Sequence, residues 1–228
     1  MNEKLILSIF PGIDLLGMAF EEAGYCVVRG PDLLWGGDIH KFHPPTGAFE
    51  GIIGGPPCVG ETPLANFNSN KGYTLWPEAM RVINEAQPEW WMLEAVIRHD
   101  APYFVCLSPR WIGEKQSRKR YFHSNLDITR FIEVSLFENP IKEPCVKATE
   151  LAKGFRPLKI KKEPYYPHRP WELLCELQGL SPDFDIKPFT KAWKGIVLGN
   201  AVPLSMGREI AKAITKAREV SMEKVSIP

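Results

Sequence analysis

The sequence predicts an α/β fold with a mostly parallel central sheet, and three observations carry that expectation. The runs Leu5-Ile6-Leu7-Ser8-Ile9-Phe10 and Trp90-Trp91-Met92-Leu93-Glu94, and the pair Ile52-Ile53, are apolar without alternation, as in strands covered on both faces. The first run passes at once into Pro11-Gly12-Ile13-Asp14 and then a helical pattern. Strand, glycine-containing turn and helix open a nucleotide-binding β-α unit, in which backbone N–H groups at the helix start face a ligand. Finally, 228 residues suit one domain with a full core.

In chain order, Leu15, Leu16, Ala19, Phe20 and Ala23 give the first helix its apolar stripe, and Gly24 closes it. Cys26-Val27-Val28 reads as the second strand. A Gly/Pro/Asp-rich connection follows, in which Asp32 and Asp38 are either turn residues or acceptors for ribose hydroxyls and an adenine amine. Gly51-Ile52-Ile53-Gly54-Gly55-Pro56-Pro57-Cys58 reads as a buried strand ending in a sharp, stiff loop. Cys58 is thereby set at the carboxyl end of a strand, where open α/β sheets bind ligands. Asn66 to Gly72 is a polar loop, and Pro77 starts a helix with Ala79, Met80, Val82, Ile83 and Ala86 inward. Glu94 ends the next strand. Tyr103–Leu107 and Tyr121–Leu126 are further strands, and between them Gln116, Arg118 and Arg120 share one side if the chain is extended. Helical pattern returns at Trp171–Leu177, and a last helix, with Pro203 near its first position, is inward at Met206, Ile210, Ala213, Ile214 and Ala217.

The net charge of +1 hides an uneven distribution. Residues 110–170 hold 14 Lys/Arg and 7 Asp/Glu, so the rest of the chain is acidic. That asymmetry suits a polyanion meeting one region only. From about Phe131 to Pro170 periodicity gives way to Lys/Arg and proline, which reads as a nucleic-acid-facing segment or an irregular linker. The five cysteines are scattered without a Cys-x-x-Cys pair, so neither a disulfide framework nor a metal site is expected. No apolar run approaches the ~18 residues that would span a bilayer. The opening Met-Asn-Glu-Lys lacks a signal-peptide pattern, so the expectation is a cytoplasmic protein with no membrane partner, nucleoid-associated when on DNA.

Taken in order, Phe-x-Gly, Gly-Asp-Ile, Gly-Gly-Pro-Pro-Cys, a strand-end Glu, Gln-x-Arg-x-Arg, Gln-Gly-Leu and Gly-Asn-Ala-Val-Pro resemble the DNA cytosine-5 methyltransferase family. The resemblance covers residues 5 to about 126 and about 171 to 217. It implies a Rossmann-like, S-adenosylmethionine-dependent methyltransferase fold formed by 1–126 and 171–228, with 127–170 as a much reduced target-recognition segment. By resemblance Cys58 is the nucleophile that adds to carbon 6 of a flipped-out cytosine, and Glu94 is the acid at ring nitrogen 3. Arg120, and secondarily Arg118, hold the carbonyl oxygen of the base. S-adenosylmethionine would lie against Phe10, Gly12, Ile13, Asp14, Asp32, Asp38, Ile39 and Pro56, with Asn200, Ala201 and Val202 closing the site. Gln116, Lys159, Lys161 and Lys162 would contact the nucleic acid, which is double-stranded DNA, or RNA with the same chemistry. A partner or second subunit is a further possible source of target recognition. Pro11, the stretch Val59-Gly60-Glu61-Thr62 and Ala95 depart from the family's usual Phe-Ala-Gly-x-Gly, Gln-Gly-Phe-Ser and Glu-Asn-Val, and the alternative they leave open is a catalytically weak or inactive nucleic-acid-binding homologue.

Overall fold

Gly51–Gly54 (β3) lies at the centre of a six-stranded sheet, between Leu5–Ile9 (β1) and Trp90–Ala95 (β4). This computed structural model describes residues 4–58, 74–148, 150–151 and 169–225. The expected loop at Asn66 to Gly72, the departures at 59–62 and Lys159, Lys161 and Lys162 fall outside the described residues. The remaining strands are Cys26–Arg29 (β2), Tyr103–Leu107 (β5), Gln116–Ser117 (β6), Arg120–Ser124 (β7) and Glu143–Pro144 (β8). The helices are Leu15–Glu22 (α1), Trp76–Ala86 (α2), Trp171–Leu177 (α3), Lys191–Asn200 (α4) and Leu204–Val225 (α5).

The main sheet runs β2-β1-β3-β4-β7-β5. Strands β2, β1, β3 and β4 pair in parallel, while β7 runs antiparallel to both β4 and β5. Because side chains alternate along a strand, each apolar run feeds two cores. Ile6, Ile53 and Met92 face α1 and α5, packing with Phe20, Met206, Ile210 and Ile214. Leu7, Ile52 and Leu93 face α2, packing with Ala79, Val82, Ile83 and Ala86. The result is three layers, helices on both faces of the sheet. Helix α4 had no counterpart in the expected elements. Ile128 is buried with the α1/α5 core, while Val146 is buried with Leu174 of α3 and Leu198 of α4, so the segment after β7 is anchored at both points. Among the described residues no helix is long and apolar enough to cross a membrane.

Register decides what meets at the edge. Ile9 pairs with Gly54, and Gly54 with Leu93, so the carboxyl ends of β1, β3 and β4 finish together. Ala95 pairs with Tyr121 and Leu107 with Arg120, which brings the start of β7 and the end of β5 to the same edge.

Candidate active site

The loop after β3 leaves the sheet flush against its neighbours. A Cβ on Gly54 would stand 2.6 Å from the Ile9 carbonyl oxygen, and one on Gly55 would stand 3.3 Å from Glu94 Oε2. Only glycine at position 54 therefore lets the chain pass this close to the Ile9 carbonyl, and Gly55 brings the backbone close to the Glu94 carboxylate. Pro56 and Pro57 then stiffen the chain up to Cys58, whose thiol donates to the Pro56 carbonyl at 3.3 Å. The returning chain closes the loop through an antiparallel bridge between Cys58 and Thr74, and the Leu75 N–H donates to the Pro57 carbonyl. Cys58 is half-buried in that setting.

Glu94 is buried, with Arg120 Nε 2.7 Å from its Oε1. Burial is the larger influence and raises the carboxyl pKa, although the guanidinium groups of Arg120 and Arg118 pull the other way. Arg118 is placed differently from Arg120. It is buried and donates from Nη1 to the carbonyls of Val146 at 3.3 Å and Gly199 at 2.9 Å. Burial, then the charge of Arg120, pushes its pKa down to about 10, and its two hydrogen bonds fasten the core beside the site. Gln116, expected on the nucleic acid, is fully buried. Its amide donates to the Leu177 carbonyl at 2.5 Å and accepts from the Val146 N–H at 3.1 Å, which leaves no face for a ligand. The expected alternation is present, but the side it shares points inward except at Arg120.

Next to this edge lies a cleft open to solvent and lined by Phe10, Asp32, Leu33, Asp38, Ile39 and Pro57, with Leu75 and His40 beyond them. Its floor is the turn after β1, where Phe10, Gly12 and Asp14 all take left-handed φ values of 53°, 57° and 56°. For Phe10 and Asp14 that conformation costs on the order of 1–2 kcal/mol each, so neighbours must hold it. They do: the Phe10 N–H donates to the Pro31 carbonyl, and the Gly12 N–H donates to Asp32 Oδ2 at 2.8 Å. Trp35 Nε1 donates to the Gly12 carbonyl at 2.7 Å. Asp32 Oδ1 also caps the short 3-10 turn Leu33–Trp35, accepting from Leu34 N–H at 2.7 Å.

Of the residues expected to hold a cofactor, Phe10, Asp32, Asp38 and Ile39 line the cleft, Gly12 is tied to it through Asp32, and Pro56 precedes its wall at Pro57. Asp14 is instead buried at the start of α1, accepting from Ser8 Oγ at 2.8 Å and Gly17 N–H at 3.1 Å. Burial raises its pKa against the opposing effects of Ser8 and Arg29. Ile13 packs against the α3/α4 core, and Val202 is buried in the α5 core. Asn200 ends α4 exposed, and the Ala201 carbonyl accepts from Gln178 at 3.2 Å. None of these four lines the cleft among the described residues. Leu33, His40 and Leu75 were missed. Leu33 directly follows the capping Asp32 and is 73% exposed, which only the structure shows.

The cleft combines apolar walls from Phe10, Leu33, Ile39 and Leu75 with the carboxylates of Asp32 and Asp38 as hydrogen-bond acceptors. The Asp38 carboxylate is held below its usual range by its hydrogen bonds with His40, so it is an acceptor throughout the neutral range. No family model and no curated protein matches the chain. Solved structures do. The Entamoeba histolytica methyltransferase EhMeth superposes with a TM-score of 0.61 at 11% identity, covering 95% of this chain and 99% of its own. A protein encoded within an E. coli prophage and described as a DNA modification methyltransferase gives 0.59 at 13%, covering 94% and 99%. A triple mutant of Spodoptera frugiperda DNMT2 gives 0.58 at 12%, covering 92% and 99%. At such identities the likeness is one of fold, and the fold is the Rossmann-like methyltransferase fold with a mostly parallel sheet that the sequence predicts.

Proposed function

We propose that the protein transfers a methyl group from S-adenosylmethionine to carbon 5 of a cytosine in DNA. The observation that carries this reading is the meeting, at one sheet edge, of the Gly54–Cys58 loop with a buried Glu94, its carboxyl pKa raised by burial, paired to Arg120. Two of the solved structures sharing the fold are named as a DNA modification methyltransferase and as DNMT2, which supports the same class of reaction.

Carbon 5 of cytosine is too weak a nucleophile to take a methyl group unaided. Addition of the Cys58 thiolate to carbon 6 forms a carbon–sulfur bond and moves an electron pair into the ring, making carbon 5 an enamine carbon. Negative charge then develops towards ring nitrogen 3, where Glu94 can deliver its proton. Arg120, at ion-pair distance from Glu94, is positioned to hold both that carboxyl and the carbonyl oxygen of the base. When bound in the Phe10–Ile39 cleft, S-adenosylmethionine supplies an electrophilic methyl group. Loss of the carbon 5 proton and of the Cys58 bond afterwards restores the aromatic ring. The reacting base must leave its stack to reach Cys58.

Transfer of tritiated methyl groups to duplex DNA and to transfer RNA tests the reading, with label expected in DNA. Label in transfer RNA alone would overturn the choice of polymer, and label in neither would overturn the reaction. Asp32→Ala is expected to weaken S-adenosylmethionine binding by about 10- to 100-fold in calorimetry, because the Gly12 and Leu34 N–H groups lose their acceptor and the strained turn its brace. An unchanged affinity would place the cofactor elsewhere.

A further inference from the structure

A second concave site, open to solvent, lies at the same sheet edge, beyond β7. Arg110 and Trp111 reach it from the turn after β5, Lys119 from the start of β7, and Glu138 and Lys142 from the segment that follows β7. Three cations thus face one carboxylate. Glu138 is already engaged, 2.9 Å from Arg110 Nη1 and accepting from Trp111 Nε1 at 2.8 Å. Lys119 and Lys142 are exposed and make no ion pair among the described residues, although Lys119 lies 5.4 Å from the centre of the Trp111 ring. Ser108 and Ser117 add hydroxyls to the same wall.

Leu136 and Phe137, which directly precede Glu138 in the chain, are 94% and 83% exposed. The Ser135 N–H donates to the Trp111 carbonyl at 2.7 Å, Arg110 Nη2 to the Asn139 carbonyl at 2.9 Å, and Asn139 Nδ2 to the Gly113 carbonyl at 2.8 Å. The segment is pinned on both sides of the apolar pair, which is held out to solvent.

Lys119 and Arg120 are adjacent in extended chain, so they point to opposite sides. While Arg120 turns to Glu94, Lys119 turns to this second site. Strand β5 lies two strands from β4, roughly 10 Å at the usual interstrand spacing. At ~3.4 Å of rise per nucleotide, that is about three steps along one strand.

Building on the methyltransferase reading, we infer that this site seats a backbone phosphodiester of the substrate strand a few nucleotides from the reacting base, while Leu136 and Phe137 stack on a neighbouring base. Charge complementarity favours a polyanion, and the apolar pair favours one with unstacked bases over inorganic phosphate.

The test is equilibrium binding by fluorescence anisotropy, using labelled duplex DNA and a labelled RNA stem-loop across a salt series without cofactor. Lys142→Ala and Lys119→Ala are each expected to reduce the log affinity against log salt slope by about 0.7–0.9, and Lys142→Arg is expected to restore it. Phe137→Ala should cost about 10-fold in affinity with the slope unchanged. Normal S-adenosylmethionine binding verifies that each variant is folded. Unchanged slopes in both lysine variants, or no nucleic-acid binding by the wild type, would overturn the inference. So would Phe137→Ala abolishing self-association in sedimentation while leaving nucleic-acid affinity intact, which would make the apolar pair an interface between copies. Active methyl transfer with unaltered slopes would sink this site and spare the reaction; altered slopes without methyl transfer would do the reverse.

Discussion

Cys58→Ser should leave less than about 1% of wild-type methyl transfer while cofactor affinity stays normal, because a serine hydroxyl is a far weaker nucleophile than a thiolate at neutral pH. Geometry makes the comparison clean. The loop is held by backbone contacts, the Cys58–Thr74 bridge and the Leu75 N–H to Pro57 carbonyl bond, and none of them needs sulfur. A serine hydroxyl can also donate to the Pro56 carbonyl, as the thiol does. The substitution therefore changes the attacking atom while keeping these contacts. Single-turnover incorporation of tritiated methyl measures the loss, and calorimetry with S-adenosylmethionine measures what is kept. A second readout is a denaturation-resistant adduct with DNA containing 5-fluorocytosine. The wild type should form it and the serine variant should not. Turnover by the serine variant above a few per cent of wild type would rule out the covalent route through Cys58.

How much of this was legible in the sequence follows from which interactions are local. Strands β1, β3 and β4 were readable because burial on both faces demands unbroken apolar runs, and the loop after β3 was readable because close approach to Ile9 and Glu94 demands Gly54 and Gly55. Helix α4 was not. Gly195 and Gly199 lower its intrinsic propensity, and the reason for them is tertiary. A Cβ on Gly199 would come 2.3 Å from the Ala148 nitrogen, and one on Gly195 would come 2.9 Å from the Leu151 side chain. Small residues in α4 admit a chain segment about fifty positions earlier, a constraint that no local pattern expresses.

The same distinction runs through the site. Alternation correctly set Gln116, Arg118 and Arg120 on one side of the chain. It could not reveal that helices α3 and α4 would cover that side, so that Gln116 meets the Leu177 carbonyl and Arg118 meets the Gly199 carbonyl. Only Arg120, at the open edge, reaches Glu94. Asp32 and Asp38 were readable as both turn residues and acceptors. Each caps a short 3-10 turn, as the turn reading has it, and each also lines the cleft. Asp14 resolves to the scaffold alone, since Ser8, Gly17 and Arg29 surround its carboxylate.

Glu94→Gln should slow methyl transfer by roughly 10²–10⁴-fold, the span typical of losing a general acid, with nucleic-acid affinity nearly unchanged. The amide keeps the shape of the carboxyl group and can still hydrogen-bond the base, but it has no proton to give to ring nitrogen 3. Burial raises the Glu94 pKa above the ordinary 4.5, outweighing Arg120 and Arg118. Wild-type turnover should therefore fall as pH rises through that raised value, and the glutamine variant should lack this limb. Stability follows the same titration. The folded protein holds the Glu94 proton more tightly than the unfolded chain, so this group's contribution is fully present below pH 4.5 and is lost as pH rises through the folded pKa. Glutamine cannot ionise. Urea midpoints measured across that window should thus show the wild type losing stability relative to Glu94→Gln as pH increases. An affinity loss equal to the rate loss would make Glu94 a binding residue, and a wild type gaining stability over the variant with rising pH would mean that Glu94 is held ionised by Arg120.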